Sequence, residues 1–396
     1  VTLIEFARTA RDILAWICLV PAVAGSVYAV LCLLAVARLR TRKEPPPRHT
    51  FAEWPPVSML KPVCGLEKGL AENLRRACRL DYPAYQVVLS VQAPDDPALP
   101  LLREVAAEFG PERATVVVGD RRVGANGKIN NLVGALAHAR HDILVISDSD
   151  VRLRPDYLKT VVAPLADPAV GYVCTYYRAV EADNWLERLE LLTLNADLTV
   201  HMTFAQVTGA VRFLMGASTA LRRSTLEAVG GFEALADYLA EDFELGRRIW
   251  ESGGQPVILP YRVDTVVDLD RLARWWHHLV HWDQCNRAAR PVGSFAAVVI
   301  RAMPFALLFA VLRLGDAAGL AVLGGALLAR LATAAVILGW GFRDGEGLRS
   351  LWLLPLRDLA GLASWVAAFT RRTTVWRGRT FRLTRHGRLL EVVAKP

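Results

Sequence analysis

The chain has 396 residues, 53% of them apolar and 22% charged, with a formal charge of +8. That length accommodates one large domain plus membrane segments, and six scattered cysteines without a C-x-x-C pair exclude a zinc site or a disulfide framework and suit a reducing compartment. The positive charge sits in two clusters, residues 38–48 and 371–395, that flank apolar segments; this fits contact with anionic lipid headgroups and not with nucleic acid, for which the middle of the chain has no basic stripe.

Residues 1–43 read as an N-terminal transmembrane anchor. Residues 13–36 are 24 positions without a charge, enough for a helix to cross a hydrocarbon core of ~30 Å. A signal peptide carries its basic flank before the apolar run, whereas here the basic cluster follows it. The positive-inside preference then predicts a cytosolic domain at a bacterial inner membrane. Residues 44–48, with three prolines, predict a short stiff linker.

Residues 50–265 alternate short apolar runs with helical patterns. Strands are predicted at 57–60, 86–92, 114–118, 143–147 and 171–175, and helices at 70–80, 99–109 and 128–139. The expected fold class is α/β, a mostly parallel sheet with helices on both faces. Ligands on such sheets bind beyond the carboxyl ends of the strands.

Residues 266–292 predict a Trp-rich interfacial helix, with Leu269, Leu272, Trp276, Leu279 and Asp283 on one face. Within 295–370 lie three apolar candidates, 295–314, 317–340 and 351–369. Three crossings would carry the basic tail, 371–396, outside, against the positive-inside preference. Arg301 interrupts the first candidate, and Arg357 with Asp358 the third. Two crossings, one interfacial or re-entrant segment and a cytosolic tail are therefore expected.

The polar residues after the strands carry the chemistry. Asp148-Ser-Asp150 follows a predicted strand; it is either an ordinary turn or a pair of hard oxygen ligands for Mg2+ or Mn2+ that leaves positions open for phosphates. Asp96 either starts a Pro-containing turn or accepts a hydrogen bond from a nucleobase or ribose. Glu241-Asp242 opens a helix, where acids are favoured in any case, but Gly216, Gly230 and Gly231 precede it as if the backbone were shaped around something. Lys61 and Lys128 stand at the sheet mouth, either solvated or facing a donor diphosphate. Lys128 is the stronger candidate, because a helix start also offers backbone N–H groups. The tryptophan segment is either an interfacial anchor or lies beside the acceptor.

Several strings together resemble the ceramide glucosyltransferase family. They are Met59-Leu-Lys-Pro-Val-Cys-Gly65, Leu80-Asp-Tyr-Pro83, Val91-Gln92, Asp95-Asp-Pro-Ala98, Lys128-Ile-Asn-Asn-Leu132, Asp148-Ser149 and Tyr238-Leu-Ala-Glu-Asp242. The likeness returns at Trp376-Arg-Gly-Arg-Thr-Phe-Arg-Leu383. Hopanoid-associated bacterial glycosyltransferases are similar in the same places. The resemblance implies a GT-A fold with three aspartate motifs, matched by Asp96, Asp148 and Asp242, and a fourth of the form Q/R-x-x-R-W. By spacing the fourth falls on His278-Leu-Val-His281-Trp282, with histidines at both basic positions; a literal match, Arg271-Leu-Ala-Arg274-Trp275, lies earlier.

What the resemblance implies is an inverting transfer of one sugar, glucose first, from a UDP-sugar to the hydroxyl of a ceramide-like membrane lipid. Asp242 is then the general base, with Trp282, His281 and His278 in the catalytic group. Lys61, Pro62, Asp96, Lys128, Asp148 and Glu241 meet the donor, and Asp148 with Asp150 the metal. Alternatives are transfer of N-acetylglucosamine or another hexose to a hopanoid, a processive polysaccharide synthase, or a non-catalytic membrane binding protein.

Overall fold

The computed structural model describes residues 3–42, 49–119, 121–376, 379–384 and 386–392; the proline linker at 44–48 lies outside them. The chain divides into two compact units. One holds Val1–Arg42, Ala182–Ala210 and Leu269–Arg372, the other Lys43–Glu181, Val211–Asp268 and Thr373–Pro396.

The second unit is built on a mixed, mostly parallel sheet of eight strands: β1 (Val57–Pro62), β2 (Tyr85–Val91), β3 (Ala114–Val118), β4 (Ile143–Ser147), β5 (Val151–Arg152), β6 (Val170–Val180), β7 (Ser218–Arg222) and β8 (Gln255–Val266). The order across the sheet is β3-β2-β1-β4-β7-β6-β8-β5. β1 pairs in parallel with β2 and β4, and β2 with β3. β1, β2 and β4 are buried along their whole length, which is why apolar residues dominate them, although β1 also buries Ser58 and Lys61 and β2 Gln86 and Ser90. Helices Leu70–Cys78, Leu99–Phe109 and Gly127–Ala137 lie between these strands in the chain, as the periodicity predicts.

Three strands were not expected: the two-residue β5, which pairs antiparallel with β8, and β7 and β8. β7 runs antiparallel between β4 and β6. β8 pairs in parallel with β6 although it contains Pro256 and Pro260; the register jumps from Thr175↔Leu259 to Tyr176↔Arg262, so Pro260 falls in a bulge that needs no ladder hydrogen bond.

The expected basic tail is also structured. β9 (Thr373–Trp376), β10 (Arg379–Leu383) and β11 (Leu389–Glu391) form an antiparallel sheet of this same unit. Phe381 and Leu389 are buried. Leu389 N donates to Asp237 O at 2.7 Å and Leu239 N to Gly387 O at 3.0 Å.

The first unit is helical. Helix Leu3–Thr41 contains the uncharged run and leaves Trp16, Ile17 and Val20 exposed. It packs against Ala302–Leu312, Ala317–Val336 and Thr199–Val207, with Cys32 and Val36 meeting Val200, Ile337 and Phe342. Three helices are long and apolar enough to cross a membrane: Ile4–Thr41, Ala317–Phe342 and Gly345–Thr370. The remaining candidate is a pair, Pro291–Ile300 and Ala302–Leu312, bent by 53° at Arg301. Arg357 and Asp358 do not split their helix, because Arg330 Nη2 lies 2.6 Å from Asp197, Arg330 Nε 2.9 Å from Asp358, and Arg357 also pairs with Asp197. Buried charges closed on one another in this way cost far less than unpaired ones.

Candidate active site

The carboxyl ends of β1 and β4, the start of helix Gly127–Ala137 and the start of helix Glu241–Glu251 converge in the sheet unit. β4 delivers Asp148, whose turn is closed by Val151 N donating to Asp148 O at 3.2 Å. Beneath the turn lies Lys61, fully buried. Its Nζ donates to Asp148 O at 2.6 Å, Ser147 Oγ at 3.2 Å and Val151 O at 3.4 Å.

Lys61 is thus engaged with the turn itself. A side chain near the end of a strand flanked on both sides is covered by its neighbours, and Pro62 beside it is buried as well. Burial pushes the Lys61 ammonium down to about 8, opposed by Asp150 and Asp148. Lys61→Met leaves two carbonyls and the Ser147 hydroxyl without their donor, and is expected to cost about 2 kcal/mol or more. The check is the thermal midpoint of the purified protein, with an unchanged midpoint counting against the fastening role.

The loop after β1 adds a carboxylate. Ser149 Oγ donates to Glu67 Oε2 at 2.6 Å, and burial raises the Glu67 carboxyl. Asp150 is pushed up to about 7, by burial first and then by Asp148 and Glu67.

Helix Gly127–Ala137 is capped by Asn126, whose side-chain oxygen accepts from Ile129 N at 3.1 Å. The amide of Asn126 donates to Tyr238 O at 2.9 Å and to Glu241 Oε2 at 3.1 Å. Lys128 in the first turn places Nζ 2.7 Å from Asp148 Oδ1, 3.5 Å from Glu241 Oε1 and 3.4 Å from Gly216 O. Burial works against this ammonium, but Asp148 and Glu241 outweigh it and raise its pKa. Burial also pushes Glu241 up to about 7, with Lys128 opposing, and raises Asp242.

Gly216 explains part of the glycine content ahead of the acidic pair. A Cβ there would stand 2.7 Å from Asp242 Oδ2 and 3.3 Å from its Cγ, so only glycine lets the backbone pass this close. Asp96 is held apart from the Lys128 group. Its two oxygens accept from Gly65 N at 3.0 and 3.1 Å, and Oδ1 also accepts from Ala98 N at 2.9 Å, which fastens the loop after β2 to the loop after β1.

Residues 271–282 belong to the helical unit. Arg271 and Arg274 are exposed and pair with Asp270. The buried face of helix Leu272–Ala289 carries Trp275, Leu279 and Val280; Leu272 is exposed, so the predicted face is rotated. His278 Nε2 lies 3.2 Å from Glu190 Oε1, and its ring is 5.7 Å from that of Trp282. Burial, then His278, pushes His281 down to about 4, so it is neutral at neutral pH and differs in charge from the arginine of the family pattern.

The sequence profile of glycosyl transferase family 21 matches residues 17–389. The chain belongs to this family. Ceramide glucosyltransferase 1 of Caenorhabditis elegans is 24% identical over 65% of the chain and 56% of its own length. A ceramide glucosyltransferase of Gibberella zeae is 30% identical over 40% of the chain and 33% of its own length. The chain spans about half the length of the first of these relatives. Among solved structures, a mannosyltransferase of Pyrobaculum calidifontis in complex with GDP-Man and Mn2+ matches with a TM-score of 0.59 and 22% identity, covering 90% of this chain and 98% of that one. That likeness supports the GT-A fold.

For a family 21 chain the acidic turn has to be tested as a cation site. Asp148 and Asp150 are partly exposed hard-oxygen donors, and the Asp148 and Glu67 charges that add to burial in raising Asp150 are what a divalent cation relieves. No cluster of three His, Cys, Asp or Glu ligands occurs among the described residues. Two carboxylates with open positions suit Mg2+ or Mn2+ shared with phosphates, whereas they do not suit an all-protein cage.

Glu67, Ser149 and Asn126 were not expected at the site with these roles. Glu67 sits in the loop directly after β1, so the rule that ligands gather beyond strand ends could have found it. Nothing in the local sequence marks Asn126, apart from its fit as a helix cap.

Proposed function

We propose that this chain transfers a single sugar from a UDP-sugar, with inversion, to the hydroxyl of a membrane lipid, with glucose and a ceramide-like acceptor as the first pair to test. The observation that carries the reading is the meeting of Asp148, Lys128 and Glu241 in one ion-paired cluster beyond β4, with Asp242 next in the chain to Glu241 and packed against Gly216, in a chain that also holds three helices able to span a membrane. The catalytic domain faces the cytosol in this reading.

Asp242 takes the proton from the acceptor hydroxyl as it attacks the anomeric carbon; a base of raised pKa at the site suits that role. Lys128 and the N–H groups at the start of its helix meet the diphosphate. Asp148 and Asp150 hold the divalent cation, which supplies neutralisation of charge on the leaving diphosphate. Asp96 and Pro62 belong to the nucleotide end, with Asp96 accepting from uridine through lone pairs left by its backbone bonds. Lys61 supports the acidic turn, and Glu241 orients Lys128. Trp282, with His278 and His281, is assigned to the acceptor, the histidines as hydrogen-bonding groups.

The test is the purified protein with a panel of UDP-sugars and lipid extracts that includes ceramides and hopanoids, read by mass spectrometry. One extractable glycolipid is the expected product. A water-soluble polymer would identify a processive synthase instead, and no metal-dependent turnover of any donor would leave a binding protein.

Gly216→Ala tests the base. The added methyl displaces the Asp242 carboxylate, and turnover should fall at least about tenfold, since small misplacements at a reacting centre are costly. Circular dichroism and melting should stay near wild type. Full turnover in this variant would separate Asp242 from the chemistry.

A further inference from the structure

We propose that Lys128 is an internal stand-in for the divalent cation, occupying Asp148 until a donor diphosphate draws it away, so that cation and nucleotide bind cooperatively. This rests on the reading of Asp148 and Asp150 as the cation-holding pair. The contact itself is direct: Lys128 Nζ is 2.7 Å from Asp148 Oδ1, the distance of a strong charge-assisted hydrogen bond.

The lysine occupies an adverse position. It stands in the first turn of an 11-residue helix, at the positive end of the dipole, where a cation is disfavoured. Asp148 and Glu241 compensate, at 2.7 and 3.5 Å. Any anion that offers its oxygens at the same helix start can take over that compensation, and a diphosphate gains the backbone N–H groups as well.

The second lysine cannot do this. Lys61 is fully buried and spends its hydrogen bonds on Ser147 Oγ and the carbonyls of Asp148 and Val151. Lys128 keeps a partly exposed side chain and a flexible four-carbon stem, so it is the cation of the pair that can move. Without nucleotide, a divalent ion must displace Lys128 from Asp148. With nucleotide, the ammonium turns to the diphosphate, Asp148 is released, and phosphate oxygens complete the cation's ligands. Linkage requires the effect to be mutual.

The experiment measures Mn2+ binding to the full-length protein in detergent, by the electron paramagnetic resonance signal of free Mn2+, with and without UDP and corrected for Mn2+–UDP association in solution. In the absence of UDP, Lys128→Met should bind Mn2+ about tenfold more tightly than wild type, within the usual range of coupling between sites. Lys128→Arg should bind like wild type. UDP should tighten Mn2+ binding in wild type by several-fold more than in Lys128→Met, and Lys128→Gln serves as a second neutral variant if the methionine variant fails to fold. Equal or weaker Mn2+ binding by the neutral variants overturns the stand-in role while leaving the cation site intact. Absence of Mn2+ binding in wild type even with UDP overturns the cation site and the proposal with it.

Discussion

Asp148→Ala is expected to abolish sugar transfer, a loss of at least about 10³-fold, while the protein still folds and inserts. The side chain is partly exposed and lies on a turn whose backbone is held by Lys61, so its removal leaves no large cavity. What disappears is a carboxylate at the point where the leaving diphosphate needs its charge balanced. Asp148→Asn can still accept a hydrogen bond from Lys128, but it lacks the negative charge, and it should be nearly as inactive. Initial rates with a UDP-sugar and lipid acceptor, alongside melting curves, check both variants. Wild-type turnover in either, or undiminished turnover in excess EDTA, would remove the metal-dependent reading.

Asp242→Asn should lower kcat by about 10²- to 10⁴-fold, the usual span for loss of a general base, with little change in donor KM. The amide oxygen can still accept the hydrogen bond that Phe243 N gives to Asp242 Oδ1 at 2.7 Å, so local structure is retained. The pH profile adds an independent sign. A base works deprotonated, so the rate falls as pH drops through its pKa; burial raises that pKa, which places the acid limb above the ordinary aspartate value of about 3.9. The residual rate of Asp242→Asn should lack this limb. A variant that keeps both the limb and the turnover would assign the base elsewhere.

The central strands were legible because they are buried on both faces, and apolar residues such as Val57, Met59, Val87, Leu89, Leu144 and Val145 outnumber the few polar ones between them. β8 was not, because Pro256 and Pro260 speak against a strand unless a bulge is known in advance. Residues 182–210 read as part of the α/β domain, since Glu187, Glu190 and Asp197 make a helix look solvated. All three are in fact buried, Glu190 against His278 and Asp197 against Arg330 and Arg357. Partners so distant in sequence cannot be paired from composition. The last strands were hidden by their charge, because the exposed Arg379 and Arg382 of β10 outweigh the single buried Phe381.

The aspartates were found from strand ends and from the resemblance, but their mutual arrangement was not. Lys128 was expected to face a donor, and its contact with Asp148 appears only when β4 and the helix start are brought together. Lys61 shows the opposite case, since a lysine near a strand end reads as an exposed ligand until the neighbours that cover it are known.

The sheet unit is assembled from three separate stretches, and its last strands hydrogen-bond the peptide at Asp237–Leu239 just ahead of the acidic pair. During synthesis, the ribosome therefore delivers every apolar helix of the first unit before it releases the strands that brace this loop. Maturation of the catalytic loop should accordingly be a late event, completed only after the hydrophobic segments have left the exit tunnel. A nascent chain stalled before Thr373 should remain sensitive to protease near Asp237, and become resistant once elongation resumes.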